Sequence, residues 1–243
     1  MNLRRSVPMG VLLSVLIFAG TFGAKGLGTL VARHFGTNTH LARSIAAYTA
    51  MGLLSIAFMA CFGQSQWRAF GFQKPKAPWL KFAAYGLLLG AATTLVVRLG
   101  HGRGMENAMK GIGPIQMILL ITGGSAMEEI FMRGWLQGFL DPLREHRVGF
   151  KQMRCSVPVL TAALAFGAMH LTLAFAGVDL WSLFCLLGFT TTVGLLAGLA
   201  RERTSSLGPP IVVHLAGNLG GILGAACFFV IQVLCAGHIP GQS

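Results

Sequence analysis

Two adjacent glutamates, Glu128 and Glu129, lie in the apolar run Gly123–Leu140 together with an arginine, Arg133. The whole chain has only seven acidic residues, and a charged side chain at the bilayer centre costs about 2.5–3.5 kcal/mol on insertion scales. Three such groups in one span imply a purpose. On a helix Glu129 and Arg133 are four apart and share a face, which predicts an ion pair. Glu128 points about 100° away and is left to face something else. Two other spans carry polar groups at the same spacing: His170 one turn after Phe166, and His214 one turn before Asn218. With Glu129 held by Arg133, Glu128 is available as a general base. Glu128 with His170 can hold and deprotonate a water, and His214 and Asn218 offer donors of the kind that stabilise an oxyanion. Water, base and oxyanion donors suffice for amide hydrolysis. A second reading makes Glu128, His170 and His214 ligands of a zinc ion with water in the open position. The HExxH helix is absent, so such ligands would come from three spans. The metal-free reading is favoured and no cofactor is expected; zinc is the alternative.

The elements that must position these groups are membrane helices. The hydrophobic fraction is 54% and the charged fraction 11%, where a soluble domain carries about a quarter charged residues; mean hydropathy is +0.67. The fold class is therefore all-α, a polytopic transmembrane helical bundle. Seven spans are expected at Val7–Ala24, Ser44–Gly63, Trp79–Val97, Ile112–Leu140, Val157–Gly177, Leu180–Ala200 and Pro209–Cys235, each with about the 20 residues that cross the hydrocarbon. A short interfacial or re-entrant helix in Gly102–Gly113 would make eight. The first span, behind Arg4 and Arg5, reads as an uncleaved helix rather than a signal peptide, with Lys25 beyond its apolar run snorkelling to the far interface. Residues 1–111 hold three N-terminal helices and residues 112–243 the catalytic core, together one bundle.

The net charge of +12 does not indicate nucleic acid, because the cations lie in short loops between apolar spans with no interleaved aromatics. Apart from Lys25 and Arg133, five of the 19 Lys and Arg (Arg33, Arg43, Arg98, Arg103 and Lys110) fall on one side and the other twelve on the side of the N-terminus. That bias puts the N-terminus in the cytoplasm and the C-terminus outside. In this orientation the glutamates, His170 and His214 fall in the inner half of the membrane, where they can share a cavity. The remaining histidines, His34, His40, His101, His146 and His238, fall in loops or at helix ends and read as solvated. Cys61, Cys155, Cys185, Cys227 and Cys235 show no metal-type spacing and no disulfide framework. Glycines at small-xxx-small spacing (Gly86/Gly90, Gly194/Gly198, Gly217/Gly221, Gly220/Gly224) predict close helix contacts.

The three motifs together resemble those of the CPBP intramembrane proteases, a family that includes the type II CAAX prenyl endopeptidases and bacteriocin-processing or immunity homologues. EEIFMRG is similar to that family's EExxxR motif, Phe166–His170 to its FxxxH and His214–Asn218 to its HxxxN, in the same order and on separate spans. The resemblance runs from about Ile112 to Gly224. It implies an integral protease of the cell membrane, if the host is bacterial, with its site reached from the cytoplasm. By the same resemblance Glu128 is the base, His170 polarises the water, His214 and Asn218 form the oxyanion site, and Glu129 with Arg133 supports them. Phe166 reads chiefly as packing. The implied partners are membrane lipids and a peptide or lipidated-peptide substrate; the sequence does not specify an oligomeric state. The rival classes are a proton-coupled transporter, which expects inverted repeats and broken helices that the sequence lacks, and a non-catalytic membrane scaffold or immunity protein.

Overall fold

The computed structural model describes residues 7–62, 67–106, 109–149 and 154–236. Arg4, Arg5, Lys151 and His238 lie outside the described residues. Seven helices are long and apolar enough to cross a membrane. They are α1 (Val7–Phe35), α2 (Thr39–Phe62), α3 (Leu80–Leu99), α4 (Pro114–Glu129), α5 (Val157–Met169), α6 (Leu180–Thr204) and α7 (Gly208–Ala236). Beyond Glu129, α4 continues as a π-helical stretch over Ile130–Leu136, in which the Gln137 N–H reaches back to the Met132 carbonyl, and ends in a last turn, Gln137–Phe139. A 3₁₀ segment, His170–Ala176, completes the fifth span. One two-stranded antiparallel ribbon pairs Arg147 with Ser156 and Val148 with Cys155.

Three expectations are corrected. The first helix runs to Phe35, since Gly26 and Gly28 do not interrupt it, and Lys25 therefore sits within the helix. The 102–113 connection forms turns rather than an interfacial helix among its described residues. The long fourth span starts at Pro114, where the fixed proline φ suits a first helical turn, and its second half is not regular α-helix.

Glycines bring the helices close, as their spacing implied. A Cβ on Gly86 would lie 2.7 Å from the Val213 carbonyl oxygen, and one on Gly224 would lie 2.6 Å from that of Ala91. The α3 and α7 backbones thus nearly touch along their length. Gly194 and Gly198 do the same for α6 against Ala163 and Val159 of α5.

The end of the bundle nearest the N-terminus is closed by aromatic packing. Phe70, in a 3₁₀ turn after α2, stacks on Trp135 with ring centres 6.4 Å apart, and Trp135 contacts Phe139 at 4.2 Å. The Trp135 indole N–H donates to Ser14 Oγ at 3.0 Å, so this wedge has no orphaned polar atom. Asp179 organises the other end. Its carboxylate caps α6 by accepting from the Ser182 N–H at 2.9 Å and the Ser182 hydroxyl at 2.6 Å, and it also accepts from the Arg103 N–H at 3.0 Å. These bonds hold the carboxyl well below the usual range, at about 2.

Candidate active site

The helical geometry separates the two glutamates. Glu129 is fully buried, and its Oε1 accepts from Arg133 Nη1 at 3.0 Å and from His214 Nδ1 at 3.0 Å. Arg133 is also fully buried. It donates to the Gly194 carbonyl at 2.9 Å and lies 4.8 Å from the centre of the Phe166 ring. Here a buried charge gains a counter-ion, a carbonyl and an aromatic face, which together offset its desolvation. Glu128, one residue earlier, turns away from Arg133 and lines a cavity of about 610 Å³. Its Oε2 lies 3.6 Å from His214 Nε2.

The three motif segments reach the same cavity wall. Glu128, His170, His214 and Asn218 all line it. His170 Nδ1 is 2.8 Å from the Phe166 carbonyl. A carbonyl only accepts, so Nδ1 carries the proton and Nε2 keeps its lone pair. His214 Nδ1 likewise donates to the Glu129 carboxylate. Its Nε2 can donate to an oxyanion only when the ring carries both protons. Asn218 Nδ2 donates to Ser125 Oγ at 3.0 Å. Phe166 packs between the two imidazoles, 4.8 Å from His170 and 5.1 Å from His214, and so sets their spacing without offering a reactive group.

Several lining residues were not among the site residues expected from the sequence. Ser125, Tyr48, Lys25 and His40 also face the cavity. Ser125 was detectable only as a position one turn before Glu129 and three before Glu128. Tyr48 packs against Gly124, where an added Cβ would meet its ring at 2.9 Å. His40 is at the cavity mouth rather than merely at a helix end. As for zinc, no group of three His, Cys, Asp or Glu side chains among the described residues is arranged to hold a metal ion. Glu128, His170 and His214 share a cavity wall without converging as a ligand set.

Fold and site together define a multi-pass helical membrane protein with a cavity that ends on a carboxylate, two histidines and an amide. The family comparison narrows this class: the model for type II CAAX prenyl endopeptidase, Rce1-like, matches residues 111–220. Over that segment, a little under half of its length, the chain is similar to this family, which supports the resemblance to the CPBP intramembrane proteases. The matched family is one of intramembrane peptidases of the CAAX type. The matched segment contains all three motifs and excludes α1, α2 and α3. No curated protein and no solved structure matches the chain significantly.

Proposed function

We propose that the protein hydrolyses a peptide bond of a membrane-associated peptide or lipidated peptide with a glutamate-activated water and no metal. Glu128 takes a proton from a water that also donates to the free Nε2 of His170. The water oxygen attacks the scissile carbonyl, whose oxygen becomes negative and is met by His214 Nε2–H and by Asn218 Nδ2–H, turned from Ser125. When the C–N bond breaks, Glu128 returns its proton to the leaving amine. Glu129 and Arg133 touch no substrate; they hold His214 in place. A doubly protonated His214 makes this cluster electrically neutral, with two carboxylates against one guanidinium and one imidazolium. The observation that carries the reading is the division of labour between neighbours: Glu129 is sealed against Arg133 and His214, while Glu128 faces the cavity.

The Lys and Arg distribution supports an orientation with the N-terminus in the cytoplasm. The test of function is cleavage of a peptide library by purified protein, read by mass spectrometry. Glu128→Gln, His170→Ala and His214→Ala are each expected to lower turnover by roughly 10²–10⁴-fold. Undiminished cleavage in all three variants would sink the proposal. Chelation is expected to leave the rate unchanged; loss of rate restored by zinc would overturn the metal-free step.

A further inference from the structure

Tyr48 lines the same cavity as Glu128 and belongs to none of the three motifs. It sits on α2, outside the segment that matches the family. A glycine sets its contact with α4: a Cβ on Gly124 would lie 2.9 Å from Tyr48 Cε2 and 3.0 Å from Cζ, the carbon that bears the hydroxyl. One turn on, the Met127 side chain fills the place a Cβ would take on Gly52, so α2 and α4 run side by side in the same direction. Gly124 and Glu128 are four apart and share a face of α4, with Cβ positions about 5–6 Å apart. A helical side chain leans toward the N-terminus of its helix, over the residue one turn before. The Glu128 side chain therefore leans over Gly124, where the Tyr48 ring lies, and the Glu128 carboxylate is the charge that acts on the Tyr48 hydroxyl. Ser125, one residue after Gly124, meets Asn218 of α7 at 3.0 Å instead. Tyr48 thus approaches Glu128 from α2, while the oxyanion donors approach from α7. The chain's other tyrosine, Tyr85 on α3, is 52% exposed and does not line the cavity.

We infer that the Tyr48 hydroxyl is a third partner of the attacking water and donates a hydrogen bond to its oxygen. The inference rests on the peptidase reading and adds a catalytic residue to it. In that reading the water gives one proton to Glu128 and points the other at His170 Nε2. Both partners are acceptors, so neither can hold the oxygen by a lone pair. The oxygen has two lone pairs: one attacks the scissile carbonyl, and the other calls for a donor. A phenol, with a pKa of about 10, keeps its proton near neutrality and supplies that donor. Three partners from three helices then fix the direction of the attacking pair. Tyr48 keeps its proton throughout, and Glu128 still takes and returns the one that moves. If the ring served only to fill the notch at Gly124, phenylalanine would replace it without loss.

The test uses purified full-length protein in lipid nanodiscs and the peptide that wild type cleaves fastest from the library. Tyr48→Phe keeps the ring on Gly124 and removes only the donor. It is expected to lower kcat roughly tenfold, about what one hydrogen bond contributes, and to leave KM and the unfolding temperature unchanged. Tyr85→Phe is the control and should change none of these. Full kcat in Tyr48→Phe, or a loss confined to KM, overturns the inference. A second measurement needs no turnover. Protein isotope-labelled at tyrosine Cζ gives two such resonances by nuclear magnetic resonance, from Tyr48 and Tyr85, and Tyr85→Phe assigns them. Glu128→Gln should move the Tyr48 resonance and leave that of Tyr85 in place; an unmoved Tyr48 resonance also overturns the inference. A protein that shows this shift yet cleaves no peptide would refute the peptidase reading and leave the Tyr48–Glu128 contact standing. One that cleaves, with full kcat in Tyr48→Phe, would refute the third partner alone.

Discussion

Glu129 Oε1 accepts from two donors at 3.0 Å, and neither Glu129 nor Arg133 has any exposed side-chain surface. Breaking a buried pair by removing one partner costs about 3–5 kcal/mol, because the other charge remains in low dielectric. Glu129→Gln is therefore expected to lower the thermal unfolding temperature sharply, together with activity. Glu128→Gln should remove activity and leave the unfolding temperature nearly unchanged, since among the described residues Glu128 has no counter-ion closer than His214 at 3.6 Å. Unfolding followed by tryptophan fluorescence separates the two; equal destabilisation would make Glu128 a structural residue. This contrast between neighbours was legible in the sequence, because charges are costly in an apolar span and their spacing assigns the pair. Ser125 and Tyr48 were not legible. A serine or tyrosine in a membrane helix is inexpensive, and nothing in the sequence marks which face it takes. Lys25 was misplaced because the apolar run stops before it while the helix continues to Phe35.

At the scale of elements, backbone irregularity begins where the chemistry ends. The π-helical stretch Ile130–Leu136 starts directly after Glu129, and such stretches recur at functional sites. No residue pattern announces it, so a regular helix was the natural expectation. Glycine spacing, by contrast, was readable, because only close backbone approach explains so many glycines within spans. It has a consequence for the site: Gly86 of α3 faces Val213, the residue before His214. Gly86→Val is expected to push α7 away, cost about 1–3 kcal/mol as an overpacked contact, and reduce turnover by displacing His214. Gly23→Ala, where an added Cβ meets nothing within 4 Å, is the matched control and should change neither. At the opposite end of the bundle, Asp179 pins the 100–106 connection to the start of α6. Its depressed folded-state pKa of about 2 means that its contribution is complete above the unfolded carboxylate value, about 3.9, and is lost as pH falls through 2. The difference in unfolding temperature between wild type and Asp179→Asn should be constant from pH 8 to about pH 5 and vanish near pH 2. A difference that instead disappears between pH 5 and pH 7 would show that another group governs this cap.

For the whole molecule, the direction in which the cavity opens decides how substrate arrives. Its wall runs from Glu128 to exposed His40, Arg43, Arg103 and Phe175 at the end that carries the α1–α2, α3–α4 and α5–α6 connections. The other end is blocked by Phe70, Trp135 and Phe139. Two expectations from the sequence now conflict. The twelve-to-five distribution of Lys and Arg puts the blocked end in the cytoplasm, whereas family resemblance implies that substrate enters from the cytoplasm, which would put the open end there. The charge bias acts on this chain's own insertion, so it is the stronger ground: the mouth should face away from the cytoplasm. Single cysteines on a background with the five native cysteines replaced by serine test this. Lys110→Cys near the mouth and Arg144→Cys at the blocked end are treated in intact cells with a membrane-impermeant maleimide. Labelling of Lys110→Cys alone is the expected result, and it would require a substrate that has already crossed the membrane. Labelling of Arg144→Cys alone would invert the bundle, place the mouth in the cytoplasm and show that the loop charges do not govern insertion in this chain.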